Sequence, residues 1–408
     1  MVVRSLPGLV PAAVDWDRST STAQCAGAHD LGTAPATRSC LACELWKTPA
    51  VGAGAVIKLS ETPVANPVLI EVLRGTAVES CHTGAIAVVD ASGAVHTALG
   101  DIDRPVFPRS AVKMLQALPL VASGAADTFA LTDAELALAC ASHSGEPEHV
   151  ATAAGVLAKL GLDATALECG TQWPGREPVL RAMAARGEQA TPLHNNCSGK
   201  HGGFVCIACL MARSSGADPA AFARGYVGAE HPVMREVSAA LSAATGVDVE
   251  QAPRGIDGCS IPTFALPLRA LALAFARCAT GQRLSEGHAL AAQRLRRAVA
   301  AEPFMVGGTD RFDTRVMHAL GEALFCKVGA EGVYCAALPG LGLGLALKID
   351  DGAVRAAEAA MAAAAQALLR TDDELLRGYS HLALRNWRGI DVGALRPAEA
   401  LRVALNPA

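Results

Sequence analysis

"GAIAVVDASGAVHTALG", residues 84–100, is the stretch of the sequence that decides the fold. Two apolar runs flank the turn sequence of residues 90–93, where Gly93 is free to take the positive φ that a tight turn requires. The stretch therefore predicts two antiparallel strands joined as a hairpin. A second strand-rich stretch, residues 325–352, lies towards the other end of the chain and predicts up to three short strands.

Helical patterns fill the chain between these two strand-rich stretches. Residues 133–144 predict a helix with a polar tip, residues 266–281 a helix stopped by Gly281, and residues 353–370 a long alanine-rich helix after the last strand. Strands at both ends around a helical middle predict an α+β fold. In such a fold one antiparallel sheet is built from the two chain ends, and a cleft separates it from a helical subdomain.

Domain boundaries follow from the same patterns. Residues 1–65 show no sustained period, which predicts a disordered N-terminal extension. We expect the catalytic domain to span residues 66–397, with the helical subdomain within about residues 110–300, and a C-terminal tail to span residues 398–408.

Composition excludes several classes of protein. A net charge of -4 with scattered Lys and Arg gives no basic surface for nucleic acid. The sequence has no apolar run long enough for a membrane span, and its first residues make a poor signal peptide. Thirteen cysteines are an odd number, which argues against a fully paired disulfide framework and for a reducing compartment. We therefore expect a cytoplasmic protein.

"FPRSAVKML", residues 107–115, holds the first chemical motif. If a helix begins at Ser110, Lys113 lies one turn on and its amine is within reach of the serine hydroxyl. Burial among apolar neighbours would lower the lysine pKa, so that the pair would act as nucleophile and base. The alternative is an ordinary helix-start serine beside an exposed lysine.

Two later fragments strengthen the catalytic interpretation. "ASHSGE" places Ser142 where a hydroxyl would relay a proton, and "CKVGAEGVY" places Lys327 on a predicted strand. The order S-x-x-K, S-x-S, K-x-G is similar to the three-part signature of serine penicillin-recognising enzymes. His143 and Ser144 stand where those enzymes have Asp-Asn, so a β-lactam acceptor is not the first choice.

Two glycine-rich loops carry a possible metal site. "HNNCSGKHGGF" contains Cys197, and "GIDGCSIPTFALPL" contains Cys259. The two thiols would share a soft divalent ion such as zinc, or they are two unrelated buried thiols. The candidates for a third ligand are His201, Asp257 and, unusually, Lys200.

Taken together, these segments resemble the rhizobial-type L-asparaginases over about residues 67–395. The resemblance rests on eight stretches in the family's order: "ESCHTGAIAVVDASG", "PRSAVKML", "CASHSGE", "NNCSGKHGGF", "GIDGCSIPTFALPL", "PFMVGGTDRFDT", "KVGAEGVYC" and "LRNWRGIDVG". The family's fold is similar to that of serine β-lactamases and serine-dependent glutaminases, which agrees with the predicted sheet and cleft.

The resemblance implies a role for each candidate residue. Ser110 matches the nucleophile, Lys113 its helix partner, Ser142 the shuttle hydroxyl and Lys327 the strand lysine. The positions that bind one Zn²⁺ in the family match Cys197, Lys200 and Cys259, with Asp257 close by. Polar residues that line the family's site match Arg109, Asn196 and His201. A homodimer is also implied.

We therefore expect hydrolysis of L-asparagine to L-aspartate and ammonia through a serine acyl-enzyme with a lysine base. The nearer alternative is a serine-dependent glutaminase or a β-lactam-reactive serine hydrolase. The farther one is a non-catalytic, zinc-stabilised protein that binds an amino acid. In each case the partner is a small molecule rather than nucleic acid or a membrane.

Overall fold

Strands from the two ends of the chain form one antiparallel sheet in the computed structural model of the protein, which describes residues 65–406. The strands are β1 Val68–Arg74, β2 Ala77–Asp90, β3 Val95–Leu99, β4 Pro105–Val106, β5 Arg254–Ile256, β6 Pro262–Phe264, β7 Leu266–Pro267, β8 Phe325–Val328, β9 Val333–Leu338, β10 Leu343–Ile349, β11 Ala383–Arg385 and β12 Asp391–Pro397. The main sheet has the order β11-β12-β1-β2-β10-β9-β8, and β3 pairs with β2. Strands β4 and β7 form a separate ladder, as do β5 and β6. The predicted α+β fold is confirmed.

The helices follow the predicted arrangement, with most of them between β4 and β8. They are α1 Lys113–Ala122, α2 Ala125–Thr128, α3 Asp133–Ala139, α4 Pro147–Lys159, α5 Glu177–Ala185, α6 Ser198–Ser215, α7 Pro219–Ala223, α8 Pro232–Thr245, α9 Leu268–Thr280, α10 Glu286–Ala301, α11 Phe304–Gly307, α12 Phe312–Leu320, α13 Val354–Leu369, α14 Glu374–Ser380 and α15 Glu399–Leu405. Helix α1 packs against α6, α8 and α10, so the segment that begins with the Ser110 motif runs into the core of the helical region.

Strand β2 is the centre of the sheet. Its first half pairs with β1, and its second half pairs with β10 and β3. Residues 85–89 are no more than 1% exposed. Since successive side chains of a strand point to opposite faces, burial of all five means that both faces of the sheet are covered here. The hairpin turn after β2 has Gly93 at φ 96°, as the sequence predicts.

Helix α9 packs on the sheet at very short range. A Cβ added to Gly344 of β10 would lie 2.0 Å from the carbonyl oxygen of Ala272 in α9. Only glycine fits at that point, because the strand lies almost in contact with the helix backbone. The alanine-rich face of α9 and this glycine together bring the helix close enough to cover the strands.

The structure describes most of the predicted C-terminal tail but almost none of the predicted N-terminal extension. The predicted extension, residues 1–65, lies outside the described residues except for its last residue. Within the predicted C-terminal tail, α15 packs against β1 and β3 with Leu401 and Leu405 buried. No helix among residues 65–406 has the length and apolar character to cross a membrane. The ten cysteines of that part of the chain are all free thiols.

Candidate active site

Ser110 lies in a strained turn at the entrance to α1. Residues 109–112 form a 3₁₀ turn, and Arg109, just before the serine, has φ 51°, a left-handed value that is costly for a residue with a side chain. The end of β8 lies against this turn, because a Cβ added to Gly329 would come 2.4 Å from the carbonyl oxygen of Pro108. The glycine of the K-x-G motif therefore allows the strand lysine and the Ser110 turn to lie side by side.

Both motif lysines converge on the hydroxyl of Ser142. The Nζ atoms of Lys113 and Lys327 each lie 3.0 Å from Ser142 Oγ. Lys113 also donates to the carbonyl oxygens of Ala141 and Asn196, and Lys327 to that of Val328. Both amines are almost completely buried, as is Ser142.

The direct pair predicted between Ser110 and Lys113 is not formed. Among the described residues, no hydrogen bond joins the Ser110 hydroxyl to either lysine, because the Lys113 amine is taken up by Ser142 and the two carbonyl groups. Ser110 is half-buried, whereas Ser142 is buried. Of the two hydroxyls, that of Ser110 is therefore the more accessible to a substrate.

Ser142 reaches the lysines because α3 ends early. The sequence predicts a helix over 133–144, but α3 ends at Ala139 and the chain continues without helical structure to Glu146. The Ser142 N–H donates to the carbonyl oxygen of Val306 instead of to a helical partner. This contact directs the Ser142 hydroxyl towards the two amines.

Burial determines the charge of the two lysines. It lowers the pKa of Lys113, and it lowers the pKa of Lys327 to about 7 although Asp313 opposes the shift. Two buried ammonium groups that share one hydroxyl repel each other. We infer that at neutral pH one of the lysines is neutral and able to accept a proton.

The two cysteine loops meet in the structure. Cys197 immediately precedes α6, Lys200 lies in the first turn of that helix, and Cys259 lies on the loop between β5 and β6. The Lys200 amine donates to Cys259 Sγ at 3.1 Å. Gly199 permits this position, since a Cβ there would lie 2.3 Å from the carbonyl oxygen of Leu138 in α3.

The chemistry of these three groups fits a zinc ion. The hydrogen bond donated by Cys259 lowers the pKa of Cys197 well below its ordinary value, although burial opposes it. Burial lowers the pKa of Lys200, but Cys197 and Cys259 outweigh burial and raise it overall. Two sulfur donors and one nitrogen donor are ligands that zinc prefers, and Lys200 would release a proton on binding. Within residues 65–406, no group of three or more His, Cys, Asp or Glu side chains is placed to hold a metal ion.

A salt bridge links the Ser110 turn to the Cys259 loop. Arg109 Nε donates to Asp257 Oδ1 at 2.7 Å, and the Gly258 N–H donates to the same oxygen. Among the described residues, Asp257 Oδ2 and the terminal nitrogens of Arg109 have no hydrogen-bond partner. One carboxylate oxygen and one guanidinium edge are thus free to bind an amino acid.

Asn196 and His201 lie directly before Cys197 and directly after Lys200 in the sequence. The carbonyl oxygen of Asn196 accepts from Lys113 at 3.3 Å, which links the lysine pair to the cysteine loop. His201 is fully buried, its Nδ1 lies 2.6 Å from the Tyr226 hydroxyl, and its Nε2 has no partner among residues 65–406. Burial lowers the pKa of His201 well below its ordinary value, so the ring is neutral.

Sequence reasoning missed two residues of this region. Asp313 of α12 is buried with its Oδ2 3.9 Å from Lys327 Nζ, and His143 Nε2 lies 2.9 Å from the Ser198 hydroxyl. Asp313 belongs to the amphipathic stretch "FDTRVM", where a lone carboxylate is ordinarily a surface residue. Arginines stand two residues before it and two residues after it, so the local sequence gives no sign that the carboxylate is buried.

Comparison with known protein families gives one match. A family model described as L-asparaginase II matches residues 70–397. No curated protein matches the chain.

Proposed function

The chain belongs to the L-asparaginase II family, the rhizobial type that its motifs resemble, and is an L-asparaginase amidohydrolase; from this premise we propose that it acts through an aspartyl ester on Ser110. The observation that carries the proposal is the convergence of two buried lysines on Ser142 beside the strained Ser110 turn. These are the parts that a serine nucleophile with an amine base requires.

The first step is attack of the Ser110 oxygen on the side-chain amide carbon of L-asparagine. Lys113, in its neutral form, accepts the hydroxyl proton from one helical turn away. Ser142 relays that proton from Lys113 to the leaving nitrogen, so that the C–N bond breaks, ammonia departs and Lys113 is neutral again. Lys327 supplies the positive charge that keeps Lys113 neutral. Water then cleaves the ester, releases L-aspartate and restores the Ser110 hydroxyl.

The tetrahedral oxyanion requires N–H donors that are not already in use. The Gly329 N–H donates to the Val333 carbonyl oxygen at 2.7 Å and is occupied. The N–H groups of Ser110 and Ala330 have no hydrogen-bond partner within residues 65–406. Since Gly329 lies against the Ser110 turn, we assign the oxyanion site to these two N–H groups.

The amino-acid end of the substrate would bind at the Arg109–Asp257 salt bridge. The free Asp257 oxygen accepts from the α-ammonium group, and the terminal nitrogens of Arg109 donate to the α-carboxylate. Asn196 and the neutral His201 border this region. Zinc held by Cys197, Lys200 and Cys259 would supply a cation that fixes both loops and orients the bound amino acid.

Ser142 is a second candidate for the nucleophile. It is the serine whose hydroxyl is hydrogen bonded to both amines, which favours its deprotonation. Its burial argues against direct attack on a substrate. In this alternative, Ser110 would only help to orient the amide.

The test is ammonia release from L-asparagine, L-glutamine and a chromogenic β-lactam by the wild type and Ser110→Ala, with acid quenching and peptide mass mapping of the ester. We expect asparagine-selective release that is abolished by the substitution, and an aspartyl group on the peptide with Ser110. The same group on the peptide with Ser142 would establish the second candidate. Glutamine or β-lactam as the faster substrate would establish a different amide specificity.

Two finer properties belong to the same proposal. The free thiols of the described residues suit a reducing, cytoplasmic location. The family resemblance implies a homodimer, and light scattering during gel filtration would test it. A monomeric mass with full activity would overturn the dimer and leave the catalytic proposal intact.

A further inference from the structure

Asp313 is a buried carboxylate close to the strand lysine. Its exposure is 1% and that of Lys327 is 0%. Asp313 Oδ2 lies 3.9 Å from Lys327 Nζ, which is beyond hydrogen-bond length but well within the range of a charge interaction. The other oxygen, Oδ1, accepts from the Tyr334 hydroxyl at 2.7 Å. The tyrosine therefore fixes the carboxylate, and the carboxylate faces the lysine.

The Lys327 amine has two hydrogen-bond acceptors in addition to the nearby charge of Asp313. Lys327 donates to Ser142 Oγ and to the Val328 carbonyl oxygen, which leaves one N–H of the ammonium form without a short partner among residues 65–406. An opposite charge at such a distance in a buried region favours the ammonium form strongly. Burial lowers the pKa of Lys327 to about 7, and Asp313 raises it against that effect.

Other titratable groups near Asp313 and Lys327 either favour or oppose the ammonium form of Lys327. Lys113 and Arg311 oppose the ammonium form of Lys327, while Cys197 favours it. Burial raises the pKa of Glu358 on α13 to about 7, with a further contribution from Asp313. The thiols nearby have pKa values raised by burial and are neutral: Cys140, Cys326 and Cys335. Asp313 is the carboxylate closest to Lys327.

We propose that Asp313 is a positioning residue that holds Lys327 as the ammonium group facing Ser142. This assignment rests on the proposed function above. Asp313 does not touch the substrate in this account and acts only through Lys327. It follows that removal of its charge changes the pH dependence of turnover more than the binding of asparagine.

The test compares Asp313→Asn with Tyr334→Phe. The first removes the charge but keeps the size and an acceptor for the tyrosine, whereas the second removes the hydrogen bond and keeps the charge. For kcat/KM against pH, we expect Asp313→Asn to move the alkaline limb to lower pH by about one to three units, because an ammonium without its counter-ion loses its proton earlier. We expect the limb of Tyr334→Phe to stay within about half a unit of the wild type.

Failure of the positioning role of Asp313 and failure of the proposed function would give different results in this experiment. Superimposed limbs for the wild type and Asp313→Asn, or an equal shift in Tyr334→Phe, would overturn the positioning role. A wild type that releases no ammonia from asparagine would overturn the proposed function instead.

A stability measurement decides the inference if Asp313→Asn does not fold or has no measurable turnover. Removing both charges of a buried pair costs less than removing one. The double variant Asp313→Asn with Lys327→Met is therefore expected to unfold at a higher temperature than Asp313→Asn at pH 6. An equal or lower unfolding temperature would mean that the two charges do not interact, which overturns the inference.

Discussion

Two buried lysines share one hydroxyl in this protein, and at the scale of single residues that arrangement determines which group carries each proton. Ser142 accepts from both amines at the same distance, 3.0 Å. A hydroxyl both donates and accepts, so it is suited to pass a proton between a charged and a neutral amine. The hydroxyl of Ser144, two residues further along the chain, does not lie between the two amines and donates instead to the Gly307 carbonyl oxygen.

Ser142→Ala is expected to lower kcat by about 10²–10⁴-fold, the usual contribution of a positioned proton-transfer group. Steady-state ammonia release from L-asparagine measures the effect. The matched control is Ser144→Ala, which removes a buried hydroxyl from the same segment. It should lower the free energy of unfolding by about 1 kcal/mol and leave kcat within a few-fold. Equal losses of kcat in the two variants would contradict the proton-transfer role of Ser142.

The cysteine loops give a second prediction at this scale. Cys259→Ser is expected to abolish stoichiometric zinc in the purified protein and to lower its unfolding temperature, because a sulfur ligand is lost. Metal content is measured by mass spectrometry of the ion, so the result does not depend on activity. Cys209→Ser, a free thiol on α6 away from Cys259, is the control and should retain zinc. Zinc retained at full stoichiometry by Cys259→Ser would exclude this ligand set.

At the scale of elements, the short distance between α9 and β10 sets a strict limit on side-chain size. Gly344 is the point of contact, and an added methyl group would overlap the Ala272 carbonyl oxygen. Neither backbone is free to move, since β10 is paired on both sides and α9 covers the sheet. A larger residue at position 344 should therefore lower the free energy of unfolding.

Gly344→Ala is expected to lower the free energy of unfolding by about 1–3 kcal/mol, as overpacking of a rigid core does. Urea unfolding followed by circular dichroism measures it. Gly378→Ala in α14 is the control, because a Cβ there meets nothing within 4 Å. That change should be neutral or stabilising by up to about 1 kcal/mol, as alanine is the better helix former. A neutral Gly344→Ala would mean that α9 does not lie as close as described.

The sequence was sufficient for elements whose signals are local. The hairpin at Gly93, the helix that ends at Gly281 and the strands of residues 325–352 could be predicted because turn residues and apolar runs act over a few positions. The end of α3 at Ala139 could not, because a distant carbonyl group at Val306 holds the chain that follows. The partners of Lys113 and the burial of Asp313 depend on contacts between distant segments, which periodicity does not reveal.

At the scale of the whole molecule, the sheet joins the two ends of the chain. Strand β2 pairs with β1 next to it in sequence and with β10 from the far end, and β1 in turn pairs with β12. The candidate catalytic groups are divided in a similar way: Ser110 and Lys113 lie at the start of the helical region, Ser142 lies within it, and Lys327 follows it. The site is therefore complete only when the sheet is complete.

A chain that ends at residue 301 is expected not to fold on its own, because β1 and β2 would lack β12 and β10 as partners. Differential scanning calorimetry should show no cooperative transition for this fragment, in contrast to the full-length protein. Co-expression with residues 302–408 should restore a cooperative transition and ammonia release. A cooperative transition in the isolated fragment would show that the helical region is an independent folding unit.

The position of β2 in the sheet also has a consequence for biosynthesis. The ribosome completes β2 at Asp90 but does not reach its partner β10 until Leu343, roughly 250 residues later. At a translation rate of about 5–20 residues per second, the edge of β2 that pairs with β10 stays open for roughly 10–50 s, whereas its other edge pairs with β3, which is made directly after it. During that interval the unpaired backbone groups along this edge can pair with a strand of another chain, so residues 84–90 are open to aggregation until the rest of the protein has been made.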